Sequence, residues 1–191
     1  VYANSVLGAW TNREGGPSSL AAAIIGKTPD YGVHKAENRQ PNVLVNVETQ
    51  LRNEADFGAL GIYLGKILED TIPAISLQKA SKEELKQLSA ALASTGMANM
   101  FSLGSTHMKT DVQKISVEST DIKKTAESLS TTKSEPDLIF LGCPHCSLNE
   151  VKQIADLIGE RKVKAETELW VCTSRHVKDK ACRCVKKIEQ C

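Results

Sequence analysis

Residues 43–77 read VLVNVETQLRNEADFGALGIYLGKILEDTIPAISL. Val43 to Val47 is a short, valine-rich apolar run, and Ile72 to Leu77 is a second one. Between them, Glu54 to Leu68 is amphipathic, with Leu60, Leu64 and Leu68 at helical spacing, which predicts core contacts. Strand, helix, strand is the unit of an α/β fold, because parallel strands need a crossover connection.

The same alternation continues outward. Ser81 opens a helix with a cap-like SKEE sequence. Met97 to Leu103 reads as a strand and is followed by a Gly-Ser-Thr-His loop. Lys114 to Val117 is a weaker strand, Thr120 to Leu129 a helix, and Thr131 to Glu135 a polar surface loop. Leu138 to Leu141 reads as a buried strand and Leu148 to Ile158 as a helix. Leu169 to Cys172 is the next strand, and Val177 to Glu189 closes as a basic helix. The pattern predicts an α/β fold of alternating strands and helices with mostly parallel sheets, in two small units. Breaks are possible near residues 104–113 or 130–136, and we place the units at 1–130 and 131–191. No internal repeat is visible.

Composition narrows the function classes. A chain of 191 residues with 41% hydrophobic content can bury a core. A net charge of +1 gives no bias toward nucleic acid or membrane surfaces, so neither is expected as a partner. No apolar run approaches the roughly 20 residues of a membrane span, and no signal peptide is evident. The charges from Arg161 through Lys187 include Glu166, Glu168 and Asp179, which reads as a solvated face. His34 and His107 read as surface histidines in loops. The chain starts with Val and stops after a helical pattern where another strand is expected, so it reads as a piece of a longer protein.

The densest polar cluster is at the start, VYANSVLGAWTNREGG over residues 1–16. Asn4, Ser5, Thr11, Asn12, Arg13 and Glu14 crowd against Gly15 and Gly16, where a backbone can come close to a ligand. Arg13 offers a planar fork for carboxylate or phosphate, and Glu14 can orient it or move a proton. Pro17 and Ser18 then open a small-residue helix. The spacing fits both a site for a small anion and a hydrogen-bonded turn.

Open α/β sheets bind ligands at the carboxyl ends of their strands, which singles out three loops. They are Glu48 to Arg52, Gly142 to Ser147 and Thr173 to His176. Thr173, Ser174 and Arg175 bring hydroxyls and a guanidinium toward the second of these. The competing reading makes Ser174 a helix cap and Arg175 a solvated side chain.

All six cysteines lie in the last 49 residues, at 143, 146, 172, 182, 184 and 191. Four-thiolate zinc binding is disfavoured, because Cys182 and Cys184 sit on different faces of a predicted helix. Disulfides are disfavoured by the absence of a secretion signal, which points to a reducing, cytoplasmic compartment. Strand, CPHC, helix also suits a thiol-disulfide oxidoreductase. That fold needs two further strands and a cis-proline loop, yet the 45 residues after Cys146 contain no proline.

Two stretches resemble one family. Residues 3–32, ANSVLGAWTNREGGPSSLAAAIIGKTPDYG, and residues 136–151, PDLIFLGCPHCSLNEV, are similar to the two signatures of the aconitase X family. Together they span roughly a quarter of the chain, in the family's order. The pattern departs at Trp10, where the resemblance leads us to expect arginine; an anion contact from position 10 is therefore in doubt. The resemblance implies an aconitase-like fold and an iron–sulfur hydro-lyase, with Cys143 as one cluster ligand and the others outside this chain. It implies Ser5, Glu14 and His145 as catalytic candidates, His145 touching the leaving hydroxyl or orienting a ligand. Asn4, Ser5, Asn12, Arg13, Ser174 and Arg175 are the substrate-binding candidates, and Cys146 is read as a packed thiol. Family members dehydrate hydroxy acids, either mevalonate 5-phosphate in archaeal isoprenoid synthesis or cis-3-hydroxyproline in bacteria. The CPHCS variant and the lysine- and glutamate-rich helices favour the archaeal kind, in which a small subunit, or a swivelling domain, completes the site. By itself the piece is expected to be inactive.

Overall fold

A computed structural model describes residues 1–104 and 112–191 of the chain. His107 and most of the Gly-Ser-Thr-His loop lie outside the described residues. The chain divides into two compact units, Val1–Leu129 and Ser130–Cys191.

The first unit begins with α1 (Tyr2–Ser5), α2 (Gly16–Ile25) and two 3-10 turns, Gly32–His34 and Ala36–Arg39. The strand–helix series follows: β1 (Val43–Val47), α3 (Glu54–Leu68), β2 (Pro73–Ser76), α4 (Lys82–Thr95), β3 (Ser102–Leu103), β4 (Gln113–Val117) and α5 (Ser119–Ser128). All four strands are parallel, in the order β3-β2-β1-β4. In register, Val45 of β1 lies between Ile75 of β2 and Ile115 of β4.

Local sequence explains the helices. Asn53 caps α3 by accepting from the Asp56 N–H. Ser81 and Glu84 form both halves of a capping box on α4. Leu60 and Leu64 of α3 and Leu88 and Leu92 of α4 are fully buried. Each such side chain contributes roughly 1.5–3 kcal/mol relative to exposure. The α3–α4 crossing is close enough that a Cβ on Gly61 would meet the Leu88 carbonyl and the Ala91 side chain, both at 2.6 Å. Helix α3 also packs against α5.

The strand expected over Met97 to Leu103 forms only at Ser102 and Leu103. Ala98, Met100 and Phe101 are buried all the same. Their backbone bonds to the N-terminal segment instead of a sheet: Asn4 takes the Asn99 carbonyl, Arg13 the Ala98 carbonyl, and Ser5 the Phe101 N–H.

The second unit contains β5 (Leu138–Cys146), α6 (Leu148–Ile158), β6 (Glu168–Thr173), α7 (Arg175–Lys180) and α8 (Cys182–Glu189). Its core is Cys146, Val151 and Ala181, with Leu148, Ile154, Val171 and Val185 packed around them. Three expectations are corrected here. Strand β5 runs on through the GCPH residues, which bulge from it and form no separate loop. Its residues Leu138 to Leu141 are not buried; Phe140 is 49% exposed. A two-stranded sheet has no further strands beside it, so β5 lacks the cover that a central parallel strand receives. The basic helix over Val177 to Glu189 breaks at Ala181, which turns into the core and divides it into α7 and α8.

Candidate functional site

The N-terminal cluster of the first unit is tightly bonded. Asn4 is 3% exposed; its amide donates to the Thr11 carbonyl at 2.7 Å and the Asn99 carbonyl at 3.1 Å. Its carbonyl oxygen accepts from the Thr11 N–H at 2.9 Å. The Ser5 hydroxyl accepts from the Phe101 N–H at 2.9 Å. Asn12 bridges to the first 3-10 turn, donating to the Tyr31 carbonyl at 2.8 Å and accepting from the Val33 N–H at 2.7 Å.

Arg13 has a left-handed backbone (φ 57°), which a non-glycine residue adopts only when its surroundings hold it there. Its guanidinium donates to the carbonyls of Ala93 at 2.8 Å and Ala98 at 3.1 Å. Ala93 lies in the last turn of α4, whose carbonyls have no intrahelical partners and favour a cation. The planar fork expected for an anion is thus engaged with the C-terminal end of a helix.

Glu14 is the centre of the cluster. One carboxylate oxygen accepts from the Thr11 hydroxyl at 2.6 Å. The other lies 3.2 Å from His34 Nε2 and 3.4 Å from the Thr28 hydroxyl. The Thr11 hydroxyl first, then a backbone N–H and His34, pull its pKa down to about 2. An ionised carboxylate only accepts, so His34 Nε2 carries the hydrogen of that contact. His34 is therefore no free surface histidine. Trp10 is 50% exposed and lies under the Arg39 guanidinium, 4.5 Å from ring centroid to Cζ. Arg39 donates in turn to the Val33 and Ala9 carbonyls. The partners of His34 and Arg39 leave no mark in the sequence, because both residues lie in 3-10 turns, where no periodicity points to a facing group.

The strand-end loop after β1 lines a cavity of about 360 Å³, bounded by Gln50 and Arg52 on one side and Ser119 and Lys123 of α5 on the other. It opens at the carboxyl ends of β1 and β4, where the strand order β3-β2-β1-β4 reverses direction. That switch point is where open α/β sheets take their ligands.

In the second unit, Leu141 pairs with Val171 and Cys146 with Thr173, so residues 142–145 bulge opposite Cys172 alone. Gly142 (φ 119°) starts the bulge; a Cβ there would strike the Cys172 backbone carbonyl. Cys143 and His145 are exposed on the bulge, whereas Cys146 is buried. The Thr173 hydroxyl donates to the Cys146 carbonyl at 2.6 Å, tying the end of β6 to the end of β5. Ser174 caps α7 by accepting from the Val177 N–H at 3.2 Å, and Arg175 is solvent-exposed. Cys143 is on the strand, before the α6 cap Ser147, so the helix N-terminus does not sit at its thiol as an oxidoreductase would require.

The described residues contain no group of three or more His, Cys, Asp and Glu side chains able to hold a metal ion. They do not by themselves fit an iron–sulfur cluster; Cys143 offers one exposed thiol. No helix of the described residues is long and apolar enough to cross a membrane.

Comparison with known proteins gives consistent results. Three consecutive matches are described as the first, second and third domains of Aconitase X, over residues 1–37, 41–127 and 136–191. The phosphomevalonate dehydratase large subunit of Methanothermobacter thermautotrophicus is 46% identical over 190 residues, 95% of this chain and 47% of that protein. The cis-3-hydroxy-L-proline dehydratase of Pseudomonas aeruginosa is 31% identical, over 93% of this chain and 33% of its own length. The crystal structure of Thermococcus kodakaraensis aconitase X in its holo form matches with a TM-score of 0.90 at 42% identity. That match covers 98% of this chain and 51% of the other. The chain spans about half the length of the phosphomevalonate dehydratase relatives it matches.

Proposed function

We propose that this chain, which belongs to the aconitase X family, forms part of a phosphomevalonate dehydratase large subunit and serves the removal of water from mevalonate 5-phosphate. The supporting observation is that the relatives above 40% identity are all phosphomevalonate dehydratase large subunits. Four phosphomevalonate dehydratase large subunits are 42–46% identical to it and a fifth, from Aeropyrum pernix, 33%, against 31% and 27% for two cis-3-hydroxyproline dehydratases. The same relatives are large subunits, which supports a small subunit as partner. An archaeal isoprenoid route in the cytoplasm is the setting this reading implies.

Cys143 is proposed as one thiolate ligand of an iron–sulfur cluster whose other ligands come from outside these 191 residues. Its exposure on a strand bulge suits a ligand better than a packed thiol does. His145 stands two residues along the same bulge and is proposed to act on the hydroxyl that leaves.

The N-terminal cluster takes a different part. The polar atoms of Asn4, Ser5, Asn12 and Arg13 are occupied by backbone groups, so these side chains are proposed to shape the wall against which the substrate rests. Glu14, with a pKa of about 2, is a poor store of protons near neutrality and a good fixed acceptor. It is proposed to orient His34. Ser174 and Arg175 follow β6, and Arg175 is the proposed contact to a substrate anion there.

Cys143→Ala in the complete enzyme tests the ligand role. The expected result is loss of iron–sulfur absorbance together with dehydration. Retained absorbance and full activity would overturn it.

A further inference from the structure

We infer that α2 is a core helix of the first aconitase X domain, enclosed on every side by the remainder of that domain in the longer protein. The inference goes beyond the dehydratase reading and needs only the family membership. Residues 16–25 read GPSSLAAAII and contain no charged side chain. Leu20 and Ile24 share one side of the helix, Ala21 and Ile25 the next, and Ala22 and Ala23 complete the circuit. A helix that is apolar all round belongs in a core, whereas a surface helix keeps a polar side. Yet none of the ten residues is buried; Leu20 is 63%, Ile24 75% and Ile25 65% exposed. Helix α3 of the same unit shows the ordinary case, with Leu60, Leu64 and Leu68 buried and Lys66 outside.

The polar groups of α2 are arranged for the same setting. The Ser18 and Ser19 hydroxyls both donate to the Gly15 carbonyl, at 3.2 and 3.0 Å. Burial therefore strands neither hydroxyl proton. Pro17 has no N–H to satisfy, and Gly26 ends the helix in the left-handed region (φ 65°).

The occupant follows from the domain matches. The first-domain match covers residues 1–37, and a segment of about 40 residues is too short to build a core of its own. The chain amounts to 47% of the Methanothermobacter thermautotrophicus relative, which leaves ample polypeptide to supply the rest. A membrane suits α2 poorly. Ten residues of helix reach about 15 Å, half of a bilayer core, and a helix lying in the interface needs a charged face. A second copy or a small subunit would cover one side and leave the others wet, whereas α2 is apolar on all of them. Helix α2 starts two residues after Glu14, so enclosing it also anchors the Arg13–Glu14 end of the N-terminal cluster.

The test is amide hydrogen exchange over residues 20–25 in three samples: the 191-residue chain, the complete large subunit, and the complete large subunit with its small subunit. An uncovered ten-residue helix is marginal in water, so these amides should exchange nearly freely in the 191-residue chain. In the complete large subunit they should exchange at least roughly tenfold more slowly, at any protein concentration and with no further change when the small subunit is added. Equal exchange in the 191-residue chain and the complete large subunit would overturn the inference. Protection that appears only with the small subunit, or that rises with protein concentration, would overturn it too and name the other occupant. Leu20→Asp/Ile24→Asp gives a second reading. It should leave thermal unfolding of the 191-residue chain unchanged and make the complete large subunit insoluble or clearly less heat-stable. A complete large subunit that tolerates both aspartates would contradict an enclosed α2. None of these readouts involves turnover, so an enzyme inert on mevalonate 5-phosphate would leave this inference standing.

Discussion

In residues 1–129 the strands hold the most deeply buried side chains, Val45 and Ile75 among them, both at 0% exposure. In residues 130–191 the strands are open, with Phe140 at 49% and Trp170 at 52%. Both units are built from parallel strands and helices of similar composition, so apolar content does not separate them. Strand number does. Four parallel strands give β1 and β2 neighbours on both edges and α3 to pack against, whereas β5 and β6 have only each other. A parallel strand reads as apolar because it expects cover on both faces. Where such a strand stays open, its sequence is written for a surface that these residues do not supply. The exposed row on β5 and β6 fits a chain that spans about half the length of its relatives.

The contrast can be broken most forcefully from the buried side. Leu60→Ala removes a fully buried side chain between α3 and its neighbours and should destabilise the first unit by about 2–5 kcal/mol. Urea denaturation read by hydrogen exchange within residues 1–129 measures it. A loss below about 1 kcal/mol would mean that this core is looser than its packing implies.

Gly142→Ala asks whether the second unit depends on its bulge. The residue would keep a left-handed φ and press its Cβ on the Cys172 backbone, costing about 1–3 kcal/mol. Lost protection of the β5 and β6 amides is the expected signature, and wild-type exchange would contradict it.

A pH series sharpens the role of the N-terminal cluster. The Glu14 carboxyl has a folded pKa of about 2, below its ordinary value. The stability it contributes is therefore complete above about pH 4.5 and is lost as pH falls toward 2. Glu14→Gln should be less stable than wild type near neutrality, and the two should converge by pH 2. Parallel curves across that range would show that the carboxylate is not held as described.

The smallest effect belongs to the open strands. Phe140→Ser in the 191-residue chain should change stability by no more than about 0.5 kcal/mol, as at other exposed positions. A loss above about 1 kcal/mol would show that the strand face is covered after all.

What the sequence revealed follows the range of each interaction. The capping box at Ser81 with Glu84 joins residues three apart, and the Leu60, Leu64 and Leu68 stripe repeats within one helix. Such patterns are visible without a fold. Arg13 is different: its carbonyl partners Ala93 and Ala98 are 80 and 85 residues away, and nothing local distinguishes them from an anion. The shortening of β3 is equally remote, since it depends on Asn4, Ser5 and Arg13 holding the Ala98–Phe101 backbone. The apolar run at Leu138 announced a strand correctly. It did not reveal how many strands stand beside it, which decides burial. The loop after β1 was legible as a strand-end loop from the strand–helix alternation alone, while the α5 side of the cavity it lines, Ser119 to Lys123, came from the parallel pairing of β4 with β1.

The most direct measurement is a side-by-side determination of kcat/KM for mevalonate 5-phosphate and cis-3-hydroxyproline, using the complete large subunit with its small-subunit partner under anaerobic conditions. Turnover of the phosphate ester, with the hydroxyproline disfavoured by orders of magnitude, is the predicted result. Preference for cis-3-hydroxyproline, or no dehydration of either compound by an enzyme carrying its full complement of iron, would contradict the account.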